Sequence, residues 1–227
     1  MKRKKWVLIV TVLFMILLLW GLRSCGYVTI GLKQFSDSEG GSISYNGISY
    51  EWVESEIPNL RPLQTDKYFA YVKSNPFIKL FKIKEQDYKE WISYQMVGPM
   101  FGGQELLKAT SVALPTIQTF GTAELRICEY KNYNKVYASI DDKSIISNIV
   151  KILQDNDSDA RKRREDFVSE NPEFVTKSKV LLLSPYYPGL CLEYAFVQDE
   201  RGKKYLQDVH KGLMYEIGNV LDSYYTE

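Results

Sequence analysis

The sequence predicts an α+β protein: a single N-terminal transmembrane or signal helix, followed by one mainly antiparallel-sheet domain with two or three helices. Three observations predict it. An uncharged run from Trp6 to Leu22 follows the cation cluster Lys2-Arg-Lys-Lys5. Beyond residue 42, short stretches of β-branched and aromatic residues recur between Gly, Pro and Asn punctuation. Two further stretches carry apolar residues at helical spacing instead.

The apolar run spans roughly 25 Å as a helix, a little less than a ~30 Å hydrocarbon core, and snorkelling lysines with Trp6 and Trp20 close the gap. The positive-inside bias keeps residues 1–5 cytoplasmic and puts the rest of the chain outside, with 6–22 as the membrane or signal helix. The run exceeds the usual signal-peptide core and no A-x-A site follows it, which favours a retained anchor over cleavage. Residues 23–41 turn polar and Gly-rich and read as a tether, leaving 42–227 as one extracytoplasmic domain. That length, with its many large apolar side chains, is enough for one sizeable core.

Within the domain, Ile43 to Tyr45 and Ile48 to Trp52 alternate around Asn46-Gly47, a strong hairpin signal. Tyr68 to Lys73 and Phe77 to Ile83 predict strands split by Asn75-Pro76. In Glu85 to Val97, the positions of Tyr88, Trp91, Ile92 and Met96 predict an amphipathic helix. Gly98-Pro-x-x-Gly-Gly103 reads as a structural turn. Ala123 to Tyr130 and Lys135 to Ile140 predict a second hairpin. Asp141 or Asp142 then caps a helix whose apolar face is Ile145, Ile146, Ile149, Val150 and Leu153. After the polar segment Asp155 to Glu173, strands are predicted near Lys179 to Leu183, Leu190 to Val197, Lys203 to Leu206 and Leu213 to Ile217, with a helical turn or two at the C-terminal end.

Charge excludes one class of function. Lys and Arg number 29 against 28 Asp and Glu, and without residues 1–23 the balance is 24 to 28. A net-acidic domain is not drawn to phosphate backbones, so no nucleic-acid partner is expected. The single histidine, His210, excludes zinc sites built on paired histidines, and no C-x-x-C occurs. Asp155-Asn-Asp157-Ser-Asp159, with Asp166 at the twelfth position, begins like a calcium loop, but Ala160 replaces the bend glycine and Arg161 to Arg164 load it with positive charge. No metal and no cofactor are expected. Cys128 and Cys191 lie in strand-like stretches and are the disulfide candidates, with two separate buried thiols the equal alternative. Tyr186-Tyr187 and Tyr224-Tyr225 are core or edge residues first, and stacking platforms second.

Leu22-Arg23-Ser24-Cys25 is similar to a bacterial lipobox, which makes Cys25 the lipidation candidate; Arg23 departs from the pattern. With the basic-apolar leader and the late stretch Tyr187-Pro-Gly189, Asp199-Glu-Arg-Gly202 and Tyr205-Leu206, the chain resembles membrane-anchored or lipoprotein-like extracytoplasmic proteins of Gram-positive type. The resemblance implies a location at the cell membrane, single-pass or lipid-anchored at the outer face, and names no catalytic residue. The expected function is a non-enzymatic binding role toward an extracytoplasmic protein or envelope partner, with the membrane engaged through residues 6–22. The rival is a cell-wall-directed hydrolase using paired carboxylates, for which Glu54 and Glu56 or Asp141 and Asp142 are the candidates.

Overall fold

The computed structural model describes residues 9–18, 32–37, 42–53, 57, 59–75, 77–96, 104–130, 132–154, 161–163, 175–209 and 211–224. Half of these residues are strand and 15% are helical. The expected α+β class is thereby corrected: the domain is mostly β, built from a closed barrel and a second open sheet. Among the described residues the helices are α1 (residues 9–18) and α2 (Lys143–Gln154), with a 3-10 turn at Asp222–Tyr224. The expected membrane-crossing helix is corrected too, because no helix among the described residues is long and apolar enough to cross a membrane.

The barrel comprises β1 (Lys33–Asp37), β2 (Ile43–Tyr45), β3 (Ile48–Trp52), β5 (Thr65–Val72), β6 (Ile78–Ile83), β7 (Trp91–Met96) and β8 (Glu105–Ala109). They are arranged in the order β1-β2-β3-β8-β7-β6-β5. Neighbours are antiparallel except at the closure, where β1 runs parallel to β5 with Lys33 opposite Ala70 and Phe35 opposite Val72. Residues alternate between the lumen and the outer wall. Phe35, Ile43, Tyr50, Leu80, Ile92 and Leu107 fill the lumen, with Ala70 and Ala109 making room for the aromatic rings. Part of the expected tether is therefore a wall element: β1 lies inside residues 23–41, and without it the barrel has an open edge.

The Asn46-Gly47 hairpin forms as expected, both residues taking positive φ (52° and 77°), as a two-residue turn between strands requires. The helix expected over Glu85 to Val97 does not form. Asp87 ends the approach instead: its side chain accepts the Lys89 amide at 2.9 Å, and its carbonyl accepts Glu90 and Trp91. This local turn outcompetes helix propagation, and Trp91–Met96 then pairs with β6 and β8. Trp91, Ile92 and Ser93 are buried in succession, because the lumen takes Ile92 while the outer wall is covered by the rest of the domain.

The second sheet has the order β10-β9-β12-β13-β14-β15-β11. Its strands are β9 (Glu124–Glu129), β10 (Asn132–Ile140), β11 (Arg161–Arg163), β12 (Val175–Leu183), β13 (Leu190–Gln198), β14 (Lys204–Asp208) and β15 (Leu213–Glu216). A short strand β4 (Leu60–Pro62) adds to the Leu190–Leu192 end of β13 and links the two halves covalently. The Asp142 carboxylate accepts the Ser144 hydroxyl and then the Ser144 and Ile145 amides, which holds its pKa below the ordinary range and caps α2. From α2, Ile146, Ile149 and Leu153 pack into the main core with Leu125, Ile127, Val180 and Leu182 of the sheet.

The same core contains Val53, Ile83, Trp91 and Leu106, so the outer wall of the barrel is one side of the main hydrophobic cluster. Tyr187 fastens the joint. Its ring stacks on Phe120 at 5.4 Å and meets Trp91 edge-on at 6.4 Å. Beside it, Gly189 takes φ +75°, and a Cβ there would lie 1.9 Å from the Lys84 carbonyl oxygen. Only glycine permits that approach.

Candidate functional site

A polar cleft of about 820 Å³ opens where the segment from β4 into β5, the start of β8, the start of β10 and the paired strands β12 and β13 converge. Arg61 enters from β4, which turns it inward against the sheet; Glu105 enters from the first position of β8, and the two form an ion pair. Opposite them, Lys179 on β12 forms an ion pair with Glu193 on β13. Lys179 also donates to the Tyr133 hydroxyl at 2.7 Å, and Tyr133 donates to the second Glu193 oxygen at 2.5 Å. The Lys179 ammonium lies 4.6 Å from the Tyr133 ring centroid and 5.3 Å from that of Tyr130. Lys179 and Glu193 side chains are each only 15% exposed, so their attraction is weakly screened and either one alone would be a costly buried charge. Thr65 donates to Gln104 at 2.8 Å, and Lys84 to Gln64 at 3.3 Å, across the mouth.

This chemistry is neutralised in place. Burial first, and then the Glu193 carboxylate, push the Tyr133 phenol well above its ordinary range, so it stays a protonated donor. The Cys191 thiol beneath the cleft is fully buried, directs its hydrogen at the Arg61 carbonyl (3.7 Å), and is pushed upward by burial and by Glu193. Burial also raises Cys128. Neither thiol is a nucleophile near neutral pH.

The two cysteines are free, so the disulfide expected as one alternative does not form. Register gives the reason. Cys128 stands opposite Lys179 and Cys191 opposite Leu183, on strands that flank β12 from either side. Two strand spacings are about 9.6 Å, already beyond disulfide reach, and the offset along β12 adds to it. Leu181 lies between the two thiols in a small buried cluster.

Of the carboxylates proposed from sequence, Asp142 is occupied as the α2 cap and Asp141 lines a separate cleft of about 590 Å³ with Glu85 and Glu124. Glu124 there already accepts Arg126 at 2.9 Å and Ser139 at 2.8 Å. Among the described residues no group of His, Cys, Asp and Glu is arranged to hold a metal ion. Cys25, Glu54, Glu56, the turn 98–103, the calcium-like stretch 155–159 with Asp166, His210 and Tyr225 lie outside the described residues. Arg161–Arg163 form β11, paired antiparallel with β15. Tyr186 is exposed, whereas Tyr187 belongs to the barrel–sheet joint.

Sequence reading missed the whole cleft. Arg61, Glu105, Tyr133, Lys179 and Glu193 come from five strands, and none has a local pattern that distinguishes it from a solvated charge. Comparison with known protein families, with curated proteins and with solved structures finds no match.

Proposed function

We propose that this chain is a membrane-tethered extracytoplasmic binding module, non-enzymatic, which takes a polar partner segment in the cleft between barrel and sheet. The observation that carries this reading is the state of the cleft's ionic groups. Arg61 with Glu105 and Lys179 with Glu193 are paired, and Tyr133 is held protonated. General acid–base catalysis needs a group poised near the working pH. Preformed donors and acceptors, held rigid by one another, suit recognition of a polar chain instead.

The tether is supported by two features. Lys2-Arg-Lys-Lys5 precedes the Trp6 to Leu22 run in the sequence. Along α1, the large apolar side chains from Ile9 to Leu18 are 44% to 64% exposed and join none of the domain's hydrophobic clusters. A surface of that kind is normally covered by lipid or by protein.

The test uses the full-length chain, incubated with purified cell-envelope polymer and envelope proteins. Retention that is lost in Glu193→Ala and Tyr133→Phe, with no release of soluble sugar or peptide, is the expected result. Release of wall fragments that Asp141→Asn abolishes would replace the binding reading with the hydrolase one.

A further inference from the structure

We propose that the cleft takes a neutral glycan carrying acetamido groups; the inference rests on the cleft-binding reading proposed above. Three amides of the lining point to it. The side-chain oxygens of Gln64, Gln104 and Asn132 already accept hydrogen bonds, from the Lys84 ammonium at 3.3 Å, the Thr65 hydroxyl at 2.8 Å and the Asn134 backbone N–H at 3.1 Å. That leaves each amide nitrogen with its hydrogens to give, and none of the three side chains makes a further hydrogen bond among the described residues. The cleft therefore presents spare, partly immobilised donors, which suit a ligand rich in acceptor oxygens.

The charges decide which oxygens. Carboxylates are disfavoured, because Glu105 and Glu193 line the same cavity and already pair with its buried cations, Arg61 and Lys179. Neutral hydroxyl and acetamido oxygens meet no such repulsion, and the acetamido methyl has Pro62 and Leu63, the aliphatic part of the lining, to rest on. Tyr133 stays 38% exposed although Lys179 lies against its ring, so ring surface remains for the C–H face of a sugar. A peptide is less suited, since extended peptides are held chiefly along a free strand edge. β12 is paired on both sides, by β9 and β13; β13 is flanked by β12 and β4, and the Glu193 amide donates to the Asn59 carbonyl. The edge strand of the sheet, β10, loses register between Asn132 and Val136, where it enters the cleft.

The experiment titrates the full-length chain by calorimetry with the β-linked N-acetylglucosamine tetramer, and then with the β-linked glucose tetramer. The expected result is binding of the acetamido tetramer about tenfold or more tighter than the glucose one, unchanged by added salt. Gln104→Ala and Asn132→Ala should each weaken it by about three- to tenfold, with circular dichroism unchanged. Lys151→Ala, on α2 across the sheet from the cleft, should leave it as it was. Equal binding of both tetramers, binding that fades in salt, or binding that both cleft variants leave intact overturns the inference. Envelope proteins retained while neither tetramer binds overturns the glycan and leaves the cleft-binding reading. Retention of neither tetramer, polymer nor protein overturns both. Shortening of the tetramer during the titration overturns the non-enzymatic reading and the inference built on it.

Discussion

The barrel and the open sheet solve the same problem, burying one face of every strand, in opposite ways. The barrel closes on itself: its lumen is a private core of nine buried residues, from Phe35 to Ala109, fed by all seven strands. The open sheet cannot close, so it borrows. Its buried face is completed by α2 and by the outer wall of the barrel, through Ile83, Trp91 and Leu106. Private cores make a unit that can lose its neighbour; shared cores do not. Here the dependence is one-sided: the sheet needs the barrel's wall more than the barrel needs the sheet. Polar chemistry follows the same division, since the cleft exists only where the two halves meet.

The sharpest way to break this comparison is to empty one core at a time. Phe35→Ala should cost about 4 kcal/mol, and Trp91→Ala a similar amount. Their exchange patterns should differ. Phe35→Ala speeds exchange in β5 to β7 while β12 and β13 stay protected, whereas Trp91→Ala loosens both halves together. Uniform loss in both variants would mean one cooperative unit and would undo the argument above.

Next in size is the cleft. Glu193→Ala strands the Lys179 ammonium in a largely dry site and should cost about 3 kcal/mol in urea denaturation. The exposed pair Lys203–Glu216 is the control: its side chains are 53% and 51% exposed, so Glu216→Ala strands no buried charge and should cost under about 1 kcal/mol.

Two buried groups give the barrel opposite responses to alkali. Lys79 on its outer wall is 2% exposed, its ammonium lies 5.7 Å from the Tyr68 ring centroid and finds no hydrogen-bond partner among the described residues, and burial lowers its pKa. The native state therefore prefers the neutral amine, and stability rises as pH climbs from the folded pKa toward the unfolded value near 10.4. Lys79→Met should remove that rise and stabilise the protein at pH 7 by about 1–3 kcal/mol. Tyr50 in the lumen donates to the Tyr88 carbonyl at 3.0 Å, and burial pushes its pKa up to about 12. Its contribution is complete below pH 10 and fades as pH rises through 12, a loss that Tyr50→Phe should reduce in an alkaline titration followed by circular dichroism. The smallest effect is local: Asp142→Ala should speed exchange only in the first turn of α2.

Legibility along the chain follows how far each signal reaches. The Asn46-Gly47 hairpin, the β9–β10 pair, the four late strands and the α2 stripe with its Asp142 cap were all readable, since each is decided within about ten residues by turn chemistry and periodicity. Trp91–Met96 was misread because its apolar spacing fits a helix until Asp87 is known to close a turn and β6 and β8 are known to flank it. Lys33–Asp37 was misread for a related reason. KQFSD is polar but for Phe35, and only the parallel partner β5 makes it a wall strand.

The α+β class that composition and pattern suggested gave way to a mostly β fold, but by themselves they determined a basic, apolar leader, the position of most strands and the α2 stripe. Those properties are local, set by backbone preference and by which side chains the chain contains. Closure of the barrel, separation of Cys128 from Cys191 by a whole strand, and assembly of Arg61, Glu105, Tyr133, Lys179 and Glu193 around one cleft were decided by the tertiary structure alone. They depend on strand order and register, and those are chosen by the burial of faces far apart in the chain, which no local pattern encodes.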